Sequence, residues 1–143
     1  MKKNNKGFSL VELIIVIAIM AILAGALAPA LIKYIAKSRR STDVSNAQTI
    51  ATAVTNALSV EAAYDAATAG DVLTIGNTKP VTVSGSSGAA FTSEVASQLG
   101  SAAYKPKYVK DENFIVTLSS DKSTFTITVD NSELYPDVCA EYK

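Results

Sequence analysis

The fold is decided near the start of the chain, where a basic beginning gives way to an apolar run: Lys6-Gly7-Phe8-Ser9-Leu10-Val11-Glu12-Leu13-Ile14. From Leu13 to Ile32 the sequence has 20 consecutive residues without a charge. Because a helix rises about 1.5 Å per residue, such a run covers roughly the 30 Å hydrocarbon core of a bilayer. It is longer than the apolar region of an ordinary secretory signal peptide, which has about 7–15 residues. The sequence therefore predicts a membrane-spanning helix.

Basic residues flank this run on both sides and leave its orientation open. Three precede it and four follow it: Lys2, Lys3 and Lys6, then Lys33, Lys37, Arg39 and Arg40. Positive residues favour the cytoplasmic side of a membrane, but these counts do not favour an N-terminus inside. We interpret the later four as membrane-flanking rather than as a nucleic-acid patch. The chain as a whole balances 13 Lys and Arg against 13 Asp and Glu, which gives no basic excess.

Glu12 interrupts the apolar pattern. It has Phe8 and Leu10 before it and Leu13 to Ile15 after it. A carboxylate at the centre of a bilayer costs about 2.5–3.5 kcal/mol, and less near an interface. Two interpretations follow from the chemistry: Glu12 marks the interfacial edge of the helix, or it has a cationic partner.

The first 35 or so residues resemble the prepilin cleavage and methylation motif of type IV pilins and their pseudopilin relatives. That pattern is a short basic leader, a glycine, a phenylalanine, and a glutamate at the fifth residue of the mature chain. Here Gly7 ends the leader, Phe8 becomes the first mature residue, and Glu12 takes the fifth place. Pro29 falls where many pilins have a proline that kinks the helix.

The resemblance implies a role for each of these residues. A prepilin peptidase would cut the Gly7–Phe8 bond and methylate the new amine of Phe8, and the lack of a Cβ on Gly7 would let the enzyme approach closely. In a filament, Glu12 would neutralise the Phe8 amine of a neighbouring subunit. Gly25 and Pro29 would weaken the helix over residues 24–28, although a harmless kink is an equal alternative.

The helix is expected to continue beyond the membrane run, to about Val60, because apolar residues recur three and four positions apart. They are Val44, Ala47, Ala51, Val54 and Leu58, widened by Ile50 and Ala57, with Thr49, Thr52, Asn56 and Ser59 on the opposite face. We expect this stripe to pack against the protein's own globular part.

The remainder predicts a small antiparallel sheet. Residues 72–75 and 81–84 flank a turn at 76–79, residues 91–99 predict a short helix capped by Gly100, and residues 114–118 and 125–129 alternate apolar side chains with polar ones. The predicted fold is α+β, the type IV pilin fold: a long N-terminal helix, its apolar half protruding, packed on an antiparallel sheet. The expected organisation is a leader at 1–7, a membrane and filament-core helix at 8–36, and the rest of the helix with the sheet at 37–143.

Catalytic and metal sites are not expected, and neither is a cofactor. The chain has no histidine, which excludes Ser-His and Cys-His catalysis and the commonest zinc sites. Oxygen-bearing side chains between Asp130 and Asp137 leave a calcium site or a solvated turn as alternatives. The lone Cys139 cannot form a disulfide within the chain, and is interpreted as a small buried residue or a free thiol.

The resemblance therefore implies a structural subunit rather than an enzyme. Its expected partners are identical subunits in a helical filament, the prepilin peptidase, the pilus assembly machinery and, before assembly, the membrane; direct nucleic-acid binding is not expected. The precursor would span the cytoplasmic membrane once, and the mature subunit would lie in an extracellular pilus serving motility, adhesion or DNA uptake. A major pseudopilin of a type II secretion or competence system is the alternative.

Overall fold

A computed structural model describes residues 7–143 of the chain. The leader lysines Lys2, Lys3 and Lys6 lie outside the described residues. A single long helix, α1 (Leu10–Leu58), opens the described chain. A boundary between Ala36 and Lys37 divides the chain into two compact units, and we call the unit Lys37–Lys143 the head.

The predicted first half of α1 is helical, although it begins at Leu10 rather than at Phe8. It continues without a break through Gly25 and Pro29. Every side chain from Gly7 to Ile35 is exposed, so the helix in this unit owes its stability to its own backbone hydrogen bonds and not to a core.

The amphipathic stripe in the second half of α1 is confirmed. It buries Ala47, Ile50, Ala51, Val54 and Ala57, while Val44 and Leu58 are half-buried at its margins. The predicted polar face is exposed at Thr49, Thr52, Asn56 and Ser59. The buried residues of α1 and of the sheet form one apolar core.

The head contains a five-stranded antiparallel sheet and two further helices. The strands are β1 (Val72–Ile75), β2 (Val83–Ser84), β3 (Phe114–Leu118), β4 (Phe125–Val129) and β5 (Ser132–Tyr135). They lie in the order β2-β1-β3-β4-β5. Helix α2 (Glu61–Ala66) lies between α1 and β1 in sequence, α3 (Ala89–Leu99) lies between β2 and β3, and a short 3-10 helix (Ala140–Tyr142) ends the chain. The predicted α+β architecture, a long N-terminal helix with a small antiparallel sheet, is confirmed.

The alternating strands and the short helix occur where the sequence predicts them. In β3 and β4 the apolar residues are buried on one face, and Val116 lies opposite Ile127 in the register. Helix α3 buries Phe91, Val95 and Leu99. The predicted cap Gly100 has a φ of 68°, a conformation that glycine adopts without steric cost.

Two elements differ from the sequence prediction. Strand β2 begins at Val83 rather than at residue 81, because the turn closes with a hydrogen bond from the Gly76 amide to the Thr82 carbonyl (2.7 Å). Of the two alternatives after Asp130, the structure has the exposed turn, at Asp130 and Asn131, and this turn leads into β5, a strand that the sequence did not predict. Asp130 and Asn131 have φ values of 47° and 62°, as in two-residue hairpin turns, and this returns the chain antiparallel to β4.

Asp43 joins α1 to the loop before β3. Its carboxylate is fully buried and accepts hydrogen bonds from the backbone amides of Lys107 (2.6 Å) and Tyr108 (2.8 Å). One turn earlier, the guanidinium of Arg40 lies 4.4 Å from the centre of the Tyr108 ring and donates to its hydroxyl at 2.9 Å. The two side chains of α1 therefore fix the position of this loop on the head.

A second buried carboxylate, Asp71, organises the loop after β2. It accepts hydrogen bonds from the Ser86 amide (3.0 Å), the Ser86 hydroxyl and the Ser87 amide (2.7 Å). Burial raises the pKa of Asp71, but these donors outweigh burial and lower its pKa to about 2. The ionised carboxylate is thus the form that holds this loop against the sheet.

Candidate processing and assembly site

The start of α1 is capped by its own sequence. The Oε2 atom of Glu12 accepts a hydrogen bond from the backbone amide of Ser9 (2.8 Å), and the Ser9 carbonyl accepts the first helical bond from Leu13 (3.2 Å). Ser9 is therefore the N-cap, and Glu12, three residues later, reaches back to it as in a capping box. Sequence reasoning missed this role, although the Ser-x-x-Glu spacing ahead of an apolar run is its usual signal.

The predicted cleavage point lies just outside the helix. Residues 7–9 have no regular secondary structure, and the Phe8 side chain is 93% exposed. A Cβ added to Gly7 would meet nothing within 4 Å. Nothing in the described chain therefore requires glycine at position 7, and a requirement for it would have to come from another molecule.

The residues that follow Glu12 form an apolar surface all round the helix. Consecutive residues from Leu13 to Ile17 are all exposed, as are Ile19, Met20, Ile22 and Leu23. A helix that is apolar on every side needs an apolar surrounding, either lipid or packed protein. Helix α1 is long and apolar enough to cross a membrane, which fits the predicted membrane-anchored precursor.

Gly25 and Pro29 lie within this surface, in a helix that stays regular. A Cβ at Gly25 would meet nothing within 4 Å, so packing within the chain does not require glycine there. Pro29 removes one backbone donor from the helix. Both residues therefore lower the intrinsic stability of this stretch and gain no contact within the described chain in return.

Chemically, this segment has few reactive groups. It offers one carboxylate, Glu12, and a backbone bond, Gly7–Phe8, in an exposed part of the chain without regular secondary structure. Within residues 7–143, no three His, Cys, Asp or Glu side chains are grouped so that they could hold a metal ion. Cys139 is a half-buried free thiol.

Comparison with known proteins identifies this segment. The family model for the prokaryotic N-terminal methylation motif matches residues 2–28, a short part of the chain that includes Gly7, Phe8 and Glu12. No curated protein and no solved structure matches the chain. The motif is that of prepilins, which a prepilin peptidase processes before pilus assembly, and the long helix with its antiparallel sheet agrees with the pilin fold. Residues 2–28 are therefore the class III signal segment of type IV pilins.

Proposed function

We propose that the chain is the precursor of a pilin, the structural subunit of a type IV pilus or of a similar surface filament. The observation that carries this proposal is the charge-free and exposed helical run from Leu13 to Ile32, which begins within the methylation motif. Such a surface suits two environments in turn: lipid before assembly, and the packed helices of a filament core afterwards.

In this proposal the first seven residues are a leader. The prepilin peptidase cuts the Gly7–Phe8 bond, and the amine of Phe8 is then methylated. Residues 7–9 lie outside helix α1, which leaves this bond free of helical hydrogen bonds. The open space around Gly7 supports a role in recognition by the enzyme rather than in folding.

Glu12 and the new Phe8 amine then act together in assembly. The carboxylate of Glu12 pairs with the amine of Phe8 on a neighbouring subunit in the filament core. Two unit charges 4 Å apart attract each other by about 4 kcal/mol at an effective dielectric constant of 20. A misaligned subunit would leave both charges unpaired in apolar surroundings, so the pairing also selects the axial register.

The mature subunit belongs to a filament outside the cell, and its precursor spans the cytoplasmic membrane once. Its partners are identical subunits, the peptidase and the assembly machinery. Adhesion, twitching motility and DNA uptake are the activities that such filaments serve. The second candidate is a major pseudopilin of a type II secretion or competence system, since the same motif and apolar helix serve pseudopilins.

The processing step is tested by the intact mass of the protein from cells that contain the peptidase. We expect a chain that lacks Met1 to Gly7 and carries one added methyl group. Gly7→Val should retain the leader, whereas Gly25→Val, the same change at another open position in the apolar segment, should not. A wild-type chain that retains its leader would contradict the proposal. Long fibres on cells that express the protein natively would favour the pilin over the pseudopilin.

A further inference from the structure

Four basic residues line one recess of the head. Arg39 comes from α1, and Lys105, Lys107 and Lys110 come from the loop before β3; Pro106 and Asp111 complete the lining. The recess has a volume of about 250 Å³. Basic residues far apart in sequence thus lie around a single concave surface.

The contacts of Asp43 and Arg40 hold this recess together. The Asp43 carboxylate binds the backbone amides of Lys107 and Tyr108, and Arg40 packs on the Tyr108 ring. These contacts fix the lysine-bearing loop beside the turn of α1 that carries Arg39. The loop is therefore positioned before any ligand arrives, which reduces the entropy lost on binding.

The charges in the recess are far from balanced. Among residues 7–143, the one carboxylate within 4 Å of a basic side chain is that of Asp111, which lies 3.7 Å from Lys105. Asp43 also carries a negative charge near this loop, but it is buried behind the amides of Lys107 and Tyr108 and does not line the recess. Four cations thus meet one carboxylate in the lining, although the whole chain has no net charge.

We propose that this recess binds the phosphate group of an acidic phospholipid while the subunit is stored in the membrane. Lysine ammonium and arginine guanidinium groups are the usual protein partners of phosphate oxygens. A recess lined by one arginine and three lysines suits a single phosphate group with its attached headgroup.

Membrane lipid is favoured as the source of the phosphate because of the place of Arg39 in the chain. Arg39 follows Ile32, the last residue of the charge-free run, by seven residues of α1. Seven helical residues rise about 10 Å, a distance over which acidic headgroups still attract basic side chains. This step rests on the proposed function, since it assumes that the apolar run lies in a membrane. DNA is a poorer fit, because a duplex binder neutralises many phosphates along an extended basic surface, whereas this recess has four basic residues.

The test uses the full chain in detergent micelles and counts bound lipid by native mass spectrometry. Phosphatidylglycerol and phosphatidylcholine are titrated separately, and inorganic phosphate and a short DNA duplex are added as competitors. The recess variant is Lys107→Gln with Lys110→Gln. Its matched control is Lys79→Gln with Lys143→Gln, which removes the same charge from two exposed lysines elsewhere.

We expect the wild type and the control to prefer phosphatidylglycerol, and the recess variant to bind it more weakly by about tenfold or more. Equal loss in both variants, or equal binding of the two lipids, would overturn the site. Displacement of the lipid by inorganic phosphate at similar concentration would show that the recess binds free phosphate rather than lipid. Stronger binding of DNA would show that the recess binds nucleic acid. Lipid binding in micelles does not require leader cleavage, so the intact mass of the same samples tests the proposed function separately.

Discussion

The carboxylate of Glu12 and the backbone amide of Ser9 are joined by a 2.8 Å hydrogen bond in the first turn of α1. This contact gives Glu12 a role within its own chain that neither interpretation of the sequence included. The amide is neutral, so the contact orients the carboxylate and caps the helix but leaves its negative charge uncompensated. Capping and charge pairing between subunits are therefore compatible, and one substitution can separate them.

Glu12→Gln should keep the cap and lose the charge, because glutamine serves in a capping box as glutamate does. We expect the variant to be cleaved and methylated normally but to form few or no filaments, since its neutral amide cannot neutralise the Phe8 amine of a neighbour. Intact mass and filament yield are the measurements, and Glu112→Gln, an exposed site in the head, is the control. Normal filament yield from correctly processed Glu12→Gln would reduce the role of Glu12 to capping.

Pro29→Ala should stiffen the apolar half of α1. Alanine restores the missing backbone donor and is more favourable than proline in a helix interior by about 3 kcal/mol. If residues 24–28 are the weak stretch of the assembled subunit, filaments of the variant should extend less under the same pulling force. Force–extension curves of single filaments measure this, and Ala30→Ser is the control at a neighbouring position. Unchanged extension would locate the weak point elsewhere or show that proline causes a harmless kink.

The parts of the fold with a regular apolar period could be predicted from the sequence. The stripe around Ala47 and Val54, and the alternation in β3 and β4, follow from burial on one face of a helix or strand. Helix α2 and strand β5 have no such period: α2 buries one residue, Ala63, and β5 one, Leu134. Their positions depend on tertiary contacts and on the turn at Asp130 and Asn131.

The candidate processing and assembly site shows the same division. Gly7, Phe8 and Glu12 follow one another in a short motif, so the sequence alone was enough to single them out. The hydrogen bonds from the Lys107 and Tyr108 amides to Asp43 connect residues that are separated by 64 and 65 positions in the sequence. No local pattern encodes such a contact, and the basic recess that depends on it was visible only in the folded head.

Asp43→Ala should destabilise the head by about 2–4 kcal/mol, because two partly buried amides lose their acceptor. Asp43→Asn keeps one acceptor oxygen and should cost about half as much. The free energy of unfolding in urea, measured on the full chain in mild detergent, tests both variants. The matched control is Asp137→Ala, an exposed aspartate whose loss should change stability by less than about 0.5 kcal/mol. Equal effects of Asp43→Ala and Asp137→Ala would show that the hydrogen bonds to Asp43 contribute nothing to the stability of the head.

Asp71 should make the head sensitive to acid. The pKa of Asp71 falls from 3.8 to about 2 on folding, so its contribution to stability is complete above the unfolded value and is lost as the pH falls through the folded value. The free energy of unfolding of Asp71→Asn should therefore fall less steeply than that of the wild type between about pH 4 and pH 2. Hydrogen bonds from Ser119 and Ser123 also lower the pKa of Asp121 to about 2, but that carboxylate is exposed, and Asp121→Asn should flatten the curve less. An unchanged slope in Asp71→Asn would contradict the assignment.

Tyr142 should make the head sensitive to alkaline pH. Its ring packs edge-on against Tyr108 with 5.4 Å between ring centres, and its buried hydroxyl has no hydrogen-bond partner among the described residues. Burial, and then the negative charge of Asp43, raise the pKa of Tyr142 from 10.0 to about 12. The folded head therefore favours the neutral phenol, and its stability should fall as the pH rises from about 10 to 12.

Tyr142→Phe should remove that alkaline loss of stability and should raise the free energy of unfolding at neutral pH by about 1 kcal/mol. The reason is that phenylalanine keeps the ring contact with Tyr108 but has no hydroxyl to desolvate or to ionise. Urea unfolding at a series of pH values from neutral to about 12 measures both effects, and Tyr64→Phe, at an exposed tyrosine, is the control. A lower stability of Tyr142→Phe at neutral pH would contradict the first effect, and an alkaline loss of stability equal to that of the wild type would contradict the second.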